Sequence, residues 1–314
     1  MYIKKLFYKL TNKDKHFHYK MNLKKEASVK QNIEIFKVKL EQKIINIQKT
    51  IENKKELSFL HCGHIGDVIN SLTIIKELSK THKCNYYIQA NKPLAPNARH
   101  YKRFGDYVFL TDTNVDMLIP LLMNQPYIQK VDKYRNQEID IDFNLIREMP
   151  TNFNLDCIGC YSNITGVHAD LSIPNIYVEP HKIIKNKVVI IRSLERKNPL
   201  VNYKFLKKYD NLLFIGINDE YEDLKKEVPN LEFYDCNNFL EMAQIIKSSK
   251  FFLGNLSLGN SIAEGLKVPR LIECGPDLPQ SAVTYSRGNN AYNFYFQGHF
   301  EKWFSHLIIY KKKY

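Results

Sequence analysis

The amino-acid sequence predicts a two-domain, doubly wound α/β protein in which two Rossmann-like lobes of parallel sheet face a central cleft. Short apolar segments alternate with amphipathic segments along most of the chain, which is typical of parallel strands joined by helices. This alternation occurs twice, and each series opens with its own buried strand, at residues 57–60 and 187–192. The length of 314 residues suits two domains of about 150 residues each.

The composition is that of a globular protein with a basic surface. Hydrophobic residues make up 44% of the chain, charged residues 25%, and the formal net charge is +13. Such a charge suits an anionic membrane or a phosphorylated substrate, and it also fits a lysine-rich solvated surface with no special role. The sequence carries no RNA-binding signature and no zinc-finger spacing, so nucleic acid is not expected as a partner.

The six cysteines are scattered through the sequence and favour a reduced, cytosolic setting. Cys157-x-x-Cys160 has no second pair at metal-binding spacing and predicts no zinc site. Apolar runs stay below the ~18 residues that a membrane-spanning helix needs. We therefore expect a cytoplasmic protein that is either free or peripheral at the inner membrane face.

Residues 1–56 are predicted to form a basic helical extension. Residues 1–26 are basic and aromatic, and they suit a short helix or a loose arm that packs on the domain or rests on an anionic membrane. Residues 27–55 predict one helix, either docked on the body or paired in a coiled coil, because apolar side chains recur at helical spacing. These are Val29, Ile33, Phe36, Leu40, Ile44, Ile47 and Ile51.

The first lobe is predicted to span residues 57–180. Its first strand leads through a glycine-containing loop into a helix at residues 68–80. The remaining predicted elements are strands at 85–90, 107–110, 128–131 and 139–143 and a helix at 116–124. Residues 144–186 contain several prolines and are predicted to be an irregular crossover between the lobes.

The second lobe is predicted to span residues 181–295, followed by a C-terminal helix and basic tail at 296–314. Its strands are expected at 187–192, 212–217, 231–234, 251–254 and, as the last strand, 270–273. Its helices are expected at 219–226, 238–250 and 261–266. The alternation of these strands with helices again indicates a parallel sheet.

Ligands of open parallel sheets bind outside the carboxyl ends of the strands, so the loop after the first strand of each lobe is a candidate site. In the first lobe this loop contains His61, Gly63, His64 and Gly66, and its glycines let the backbone approach a ligand closely. Asp67 follows at the start of a helix. It is either a helix cap or a carboxylate that accepts a proton from an attacking hydroxyl.

In the second lobe the corresponding loop runs from Arg192 to Pro199. Arg192, Ser193 and Arg196 offer cations and a hydroxyl directly after a buried strand, which suits a diphosphate. The alternative is an exposed basic loop without a ligand.

A second phosphate-binding candidate is the small polar turn after the strand at 251–254. Asn255, Ser257 and Asn260 lie where a helix begins, and free amides at a helix N-terminus favour an anion. Glu264, one turn further along, could reach a ribose diol or could be a surface residue. Neither turn has the glycine spacing of dinucleotide-binding or triphosphate-binding loops, so dehydrogenases and nucleoside triphosphatases are disfavoured.

Taken together, residues 57–276 resemble the heptosyltransferase-type glycosyltransferases of family nine, which have the GT-B fold. The resemblance is carried by Gly66-Asp67 after the first strand and by the motif F-x-G-N-x-S…I-A-E-G-L-K-x-P at residues 252–269. The second motif stands in place of the family's D-[ST]-G-x-x-H-x-A. The chain therefore looks like a divergent branch of this family, with Asn255 and Asn260 at the positions of the acid and the imidazole.

The resemblance implies an inverting, metal-independent glycosyltransferase that needs no cofactor. Asp67 would be the general base, Arg192 or Arg196 would contact the donor diphosphate, and the turn at Asn255 would touch phosphate and sugar. The implied partners are a nucleotide-sugar donor and a glycan, lipopolysaccharide-type or lipid-linked acceptor, with peripheral contact to an anionic membrane as an additional option. The alternatives are a non-catalytic nucleotide-sugar or glycan-binding relative and a nucleotide-sugar epimerase.

Overall fold

The computed structural model describes residues 2–94, 107–150, 155–276, 287–288 and 290–309, with side chains from residue 7 onward. The chain begins with two helices, α1 (Tyr2–Thr11) and α2 (Lys13–Glu34). A π-helical turn (Ile35–Leu40) connects α2 to α3 (Glu41–Asn53). The helix expected at residues 27–55 is therefore present up to Asn53, but it contains a π turn and begins further toward the N-terminus, at Lys13.

The first lobe is a four-stranded parallel sheet with the order β3-β2-β1-β4. Its strands are β1 (Glu56–His61), β2 (Lys83–Ile88), β3 (Lys130–Lys133) and β4 (Ile141–Asp142). Helices α4 (Ile65–Leu78) and α5 (Asp112–Met123) connect the strands. A 3₁₀ helix (Phe143–Glu148) follows β4 directly.

Two sequence predictions fail in this lobe. The strand expected at residues 107–110 is reduced to an isolated antiparallel bridge between Val108 and Pro93, and Tyr107 has a φ of 53°, which an extended strand does not allow. The crossover expected to be irregular contains α6 (Cys157–Thr165). Asp156 caps this helix by accepting from the Gly159 amide, and Gly166 ends it at a φ of 69°.

The second lobe is a six-stranded parallel sheet with the order β10-β9-β8-β5-β6-β7. Its strands are β5 (Val188–Ile191), β6 (Leu212–Ile215), β7 (Glu232–Tyr234), β8 (Phe251–Asn255), β9 (Arg270–Glu273) and β10 (Ala291–Phe294). Its helices are α7 (Asn218–Lys225), α8 (Phe239–Ser248), α9 (Leu258–Leu266) and α10 (Gln297–Ile309). β9 was expected to be the last strand, but β10 follows it and pairs with it in parallel.

The two lobes share one apolar core. A cluster of buried side chains from β1, β2, α4 and α5 continues into α8, α9 and one face of the second sheet. A separate cluster on the other face of that sheet includes Phe300, Phe304 and Leu307 of α10. The predicted α/β architecture of two parallel-sheet lobes is thus confirmed. Within the described part of the chain, no helix is both long enough and apolar enough to cross a bilayer.

Candidate active site

The first turns of α4 and α9 meet where the two lobes join. A Cβ atom on Gly66, in the first turn of α4, would lie 3.1 Å from Ser261 Oγ and 4.0 Å from Leu258 Cα of α9. The glycine therefore permits a close approach of the two helices. The first-lobe loop and the turn after β8, predicted as separate walls of a cleft, are brought together at this point.

Asp67 lies in the first turn of α4, three residues after the N-cap His64. Arg147 Nη2 donates to its Oδ2 at 2.8 Å, and Cys157 Sγ lies 3.8 Å from its Oδ1. The side chain is 24% exposed. Burial alone would raise the pKa of the Asp67 carboxyl, but the charge and hydrogen bond of Arg147, together with the nearby histidines, outweigh burial and lower that pKa. Asp67 is therefore an ionised carboxylate at neutral pH.

Arg147 belongs to the 3₁₀ helix after β4 and closes one side of this site. Its guanidinium lies 4.6 Å from the centre of the Phe109 ring, a favourable cation–π arrangement. His64 packs edge-on against the same ring, at 5.2 Å. A Cβ atom on Gly63 would lie 2.4 Å from Arg147 Nη2, so only glycine leaves room for the guanidinium beside Asp67.

His61 does not line the cleft, as the sequence predicted, but is fully buried beneath it. Its Nδ1 accepts from the Gly63 amide at 2.8 Å, so its Nε2 carries the proton and donates to Tyr161 Oη at 2.7 Å. Tyr161 in turn donates to the Asp67 carbonyl at 3.0 Å. Burial, together with the Arg147 charge, lowers the pKa of His61 to about 3 and keeps the ring neutral.

Arg192, predicted to contact a diphosphate, is instead an internal anchor of the second lobe. Its guanidinium donates to both carboxylate oxygens of Glu273, at 2.7 and 3.1 Å, and to the Val201 carbonyl at 2.7 Å. It also lies 4.2 Å from the centre of the Tyr203 ring. Its side chain is only 3% exposed, so in this conformation it does not offer its charge to a ligand.

Asn255 joins the carboxyl ends of β8 and β5. Its amide accepts from the Ser193 N–H at 3.0 Å and donates to the Ser193 carbonyl at 2.8 Å. An aspartate could not donate to that carbonyl, so the asparagine at this position has a structural reason. Ser193 and Asn255 thereby hold together the two strands at which the chain order of the sheet reverses, where parallel sheets bind ligands.

Two more predicted residues, Arg196 and Ser257, follow the ends of the two strands that this link joins. Both are half-buried: Arg196 ends a short 3₁₀ turn after β5, and Ser257 is the N-cap of α9. Asn260, in the first turn of α9, is buried. The amides at the start of α9 and the Arg196 cation thus flank the Ser193–Asn255 link.

Glu264 does not face this crevice, contrary to the ribose contact that was predicted. It is 2% exposed and forms ion pairs with Arg270 and Lys267. Its Oε2 also accepts from the Arg287 amide at 3.0 Å, and the Arg287 guanidinium pairs with Asp156 at the start of α6. The carboxylate therefore belongs to a charged network that ties the second lobe to α6.

Arg147, Cys157 and Tyr161 also belong to the candidate site, and the sequence analysis did not identify them. They lie in the segment predicted to be irregular. Because no helix or strand was predicted there, their positions relative to Asp67 could not be inferred from the sequence. The missed signal is the recurrence of buried side chains at helical spacing along α6, namely Cys157, Cys160, Tyr161, Ile164 and Thr165.

The carboxylates of Asp140 and Asp142 stabilise local structure. Asp140 accepts from the Ser58 amide at 2.9 Å, and Asp142 caps the 3₁₀ helix by accepting from the Asn144 amide at 2.9 Å. In the described ranges no group of three or more His, Cys, Asp or Glu side chains is arranged to hold a metal ion.

The fold matches that of a family 9 glycosyl transferase from Veillonella parvula, with a TM-score of 0.52 and 14% sequence identity over 82% of this chain and 90% of that one. The E. coli heptosyltransferase WaaC with ADP gives a TM-score of 0.47 at 10% identity, covering 80% and 97% of the two chains. The E. coli ADP-heptose lps heptosyltransferase II gives 0.46 at 11% identity, covering 81% and 98%.

No protein-family model matches the chain, and no curated protein matches it in sequence. The match to the Veillonella parvula structure confirms the predicted fold, that of a family 9 glycosyltransferase.

Proposed function

We propose that this protein is a glycosyltransferase that moves a sugar from a nucleoside-diphosphate donor to a glycan or lipopolysaccharide-type acceptor. The observation that carries the proposal is Asp67, an ionised and oriented carboxylate at the junction of α4 and α9. It occupies this position in a fold shared with a family 9 glycosyl transferase. The transfer would invert the anomeric centre and proceed without a metal.

In the proposed reaction the acceptor hydroxyl loses its proton to an Asp67 oxygen as it attacks the anomeric carbon. The bond between that carbon and the donor phosphate oxygen breaks, and the nucleoside diphosphate leaves with the electron pair. Arg147 holds the carboxylate in one orientation, and Cys157 borders its other oxygen. A fixed base avoids the entropic cost of ordering it in each turnover.

The leaving diphosphate would be stabilised at the carboxyl ends of β5 and β8. The N-terminal amides of α9 and the Arg196 guanidinium supply positive charge there, and the Ser193–Asn255 link fixes the backbone around them. Because Arg192 is engaged inside the lobe, we assign the diphosphate contact to Arg196 and Ser257.

Donor binding tests this assignment. A bound ligand raises the melting temperature, so a thermal-shift series with nucleoside diphosphates and nucleotide sugars should identify the donor. Arg196→Ala should weaken nucleoside-diphosphate binding about 10- to 150-fold, the value of a lost charge-assisted hydrogen bond.

Arg135→Ala, which removes an exposed arginine from the first lobe, is the matched control and should bind as the wild type does. Equal affinity of all three proteins at low salt would refute the diphosphate assignment.

A further inference from the structure

The helical hairpin formed by α1 and α2, here called the basic hairpin (Tyr2–Glu34), has almost no contact with the body of the protein. Tyr8 packs edge-on against Tyr19, which joins the two helices. Between residues 7 and 39 no side chain is buried, and Leu40 is the first residue to enter the core. With 22 residues, α2 is about 33 Å long and projects as a separate arm.

The basic hairpin exposes large apolar side chains on both sides of its turn. Leu10 is 78% exposed and Phe17 is 60% exposed, and Phe7 and Met21 lie one turn further from the tip at 61% and 48%. Single exposed apolar residues are common on protein surfaces. Four of them around one turn indicate a surface that binds a partner.

The positive charge of this region indicates an anionic partner. Residues 1–55 contain fifteen lysines, no arginine and five acidic residues, a net charge of +10 out of +13 for the whole chain. Two copies of the basic hairpin would repel each other. An anionic lipid surface would attract the lysines and also accept Leu10 and Phe17 among its acyl chains.

We propose that the basic hairpin is a docking surface for an anionic lipid bilayer, with Leu10 and Phe17 inserted at its tip. The hairpin joins the body beside the candidate active site, since Lys43 of α3 forms a 2.7 Å ion pair with Glu148, the neighbour of Arg147. A docked hairpin would therefore tether Asp67 to the membrane at a distance set by the length of α2, about 33 Å. This last consequence rests on the proposed function and points to an acceptor that is lipid-linked.

The experiment is co-sedimentation of the full chain with vesicles, without donor or acceptor. Wild-type protein should pellet with vesicles of phosphatidylcholine and phosphatidylglycerol at 3:1, and it should stay in solution with phosphatidylcholine alone. Lys13→Glu/Lys15→Glu should weaken binding at least about 25-fold, since each lysine near an anionic surface contributes about fivefold. Leu10→Ser/Phe17→Ser should weaken binding at least about tenfold.

Two double variants with equally exposed residues on the body serve as controls. Met123→Ser/Ile183→Ser removes apolar side chains that are 65% and 87% exposed, and Lys207→Glu/Lys208→Glu reverses two exposed lysines of the second lobe. Both controls should pellet as the wild type does. Asp67→Asn should also pellet normally, which separates membrane docking from catalysis.

Three results would overturn the proposal. One is wild-type protein that remains in solution with anionic vesicles at low salt. Another is equal loss of binding in the hairpin variants and in their controls. The third is a wild-type dimer, seen by light scattering, that Leu10→Ser/Phe17→Ser converts to a monomer, because a second copy would then be what covers the hairpin.

Discussion

At the scale of single residues, the polar chain from Gly63 through His61 and Tyr161 to the Asp67 carbonyl is the most constrained part of the site. His61 and Tyr161 are both fully buried, and their hydrogen bonds are satisfied with a single tautomer of the imidazole. Burying such groups is costly unless every partner is present, so the chain fixes the backbone that carries Asp67.

His61 should make the stability of the protein depend on pH. Its pKa is about 3 in the folded protein and 6.5 ordinarily, so the unfolded chain binds the extra proton between these values and stability falls as pH drops below 6.5. Between pH 7.5 and 5.5 this one group should remove about 1.4 kcal/mol of unfolding free energy.

Urea unfolding of wild-type protein and His61→Gln at the two pH values measures this contribution. The variant has no imidazole at position 61, so its loss of stability on acidification should be smaller by that amount. His168→Gln, at an exposed histidine, should follow the wild type. Identical pH dependence of wild type and His61→Gln would contradict the buried, neutral state of His61.

The role of a residue could be predicted where it depends only on the residue's place after a strand. It could not be predicted where it depends on the direction in which the side chain points. The position of Asp67 after β1 could be predicted from the glycine-containing loop and the apolar helix that follows it. The burial of Arg192 could not, because its partner Glu273 lies 81 residues away on another strand. The sequence shows a cation after a strand, but not the face to which its side chain turns.

At the scale of elements, the segment that leads from the first lobe to the second depends on a glycine of α9. The amides of Asn175 and Ile176 donate to the Gly265 carbonyl at 2.9 and 3.1 Å. A Cβ atom on Gly265 would lie 2.5 Å from Ile176 Cδ1 and 2.8 Å from Asn175 Oδ1. The connecting segment can therefore lie directly on α9 only because this residue has no side chain.

Gly265→Ala should lower the unfolding free energy by about 1–3 kcal/mol, the usual cost of overpacking a buried contact. Gly298→Ala is the matched control, because Gly298 also lies in a helix but has no atom within 4 Å of an added Cβ among the described residues. That variant should be unchanged or slightly more stable. Equal effects in denaturant unfolding would contradict the packing of this segment on α9.

Element prediction succeeded for the strands and helices with strong apolar patterns and failed where local geometry overrode the pattern. The regular apolar pattern of residues 27–55 predicted the helix there, but not the π turn within it. α6 was overlooked because its short sequence lies among prolines and glycines, although Asp156 and Gly166 provide a capping residue and a C-terminal stop.

At the scale of the whole molecule, the two lobes are packed together through α4 and α9 at the place where the reaction is proposed. Their common apolar core joins the sheets, and the Glu264 and Arg287 network adds polar links between the second lobe and α6. The doubly wound architecture could be predicted because each lobe repeats the same strand–helix alternation. The contact between the lobes could not, because it depends on the positions of Gly66 and Ser261 in space.

The role of Asp67 as the general base is tested by comparing wild type and Asp67→Asn in the release of nucleoside diphosphate with transfer of sugar to an acceptor. Loss of the base should slow transfer about 100- to 10,000-fold while donor binding is retained. Because Arg147 lowers the pKa of Asp67 below its ordinary value of 3.8, the wild-type rate should not fall through protonation of this group above about pH 5.

Asp112→Asn is the matched control for this measurement, since Asp112 also lies in the first turn of a helix and pairs with a cation, Lys133, at 3.1 Å. We expect Asp112→Asn to transfer sugar at the wild-type rate and Asp67→Asn not to. Nucleoside-diphosphate release by Asp67→Asn at the wild-type rate would contradict the role of Asp67 as the general base. Wild-type protein that binds the donor but never releases nucleoside diphosphate with any acceptor would identify a binding protein instead.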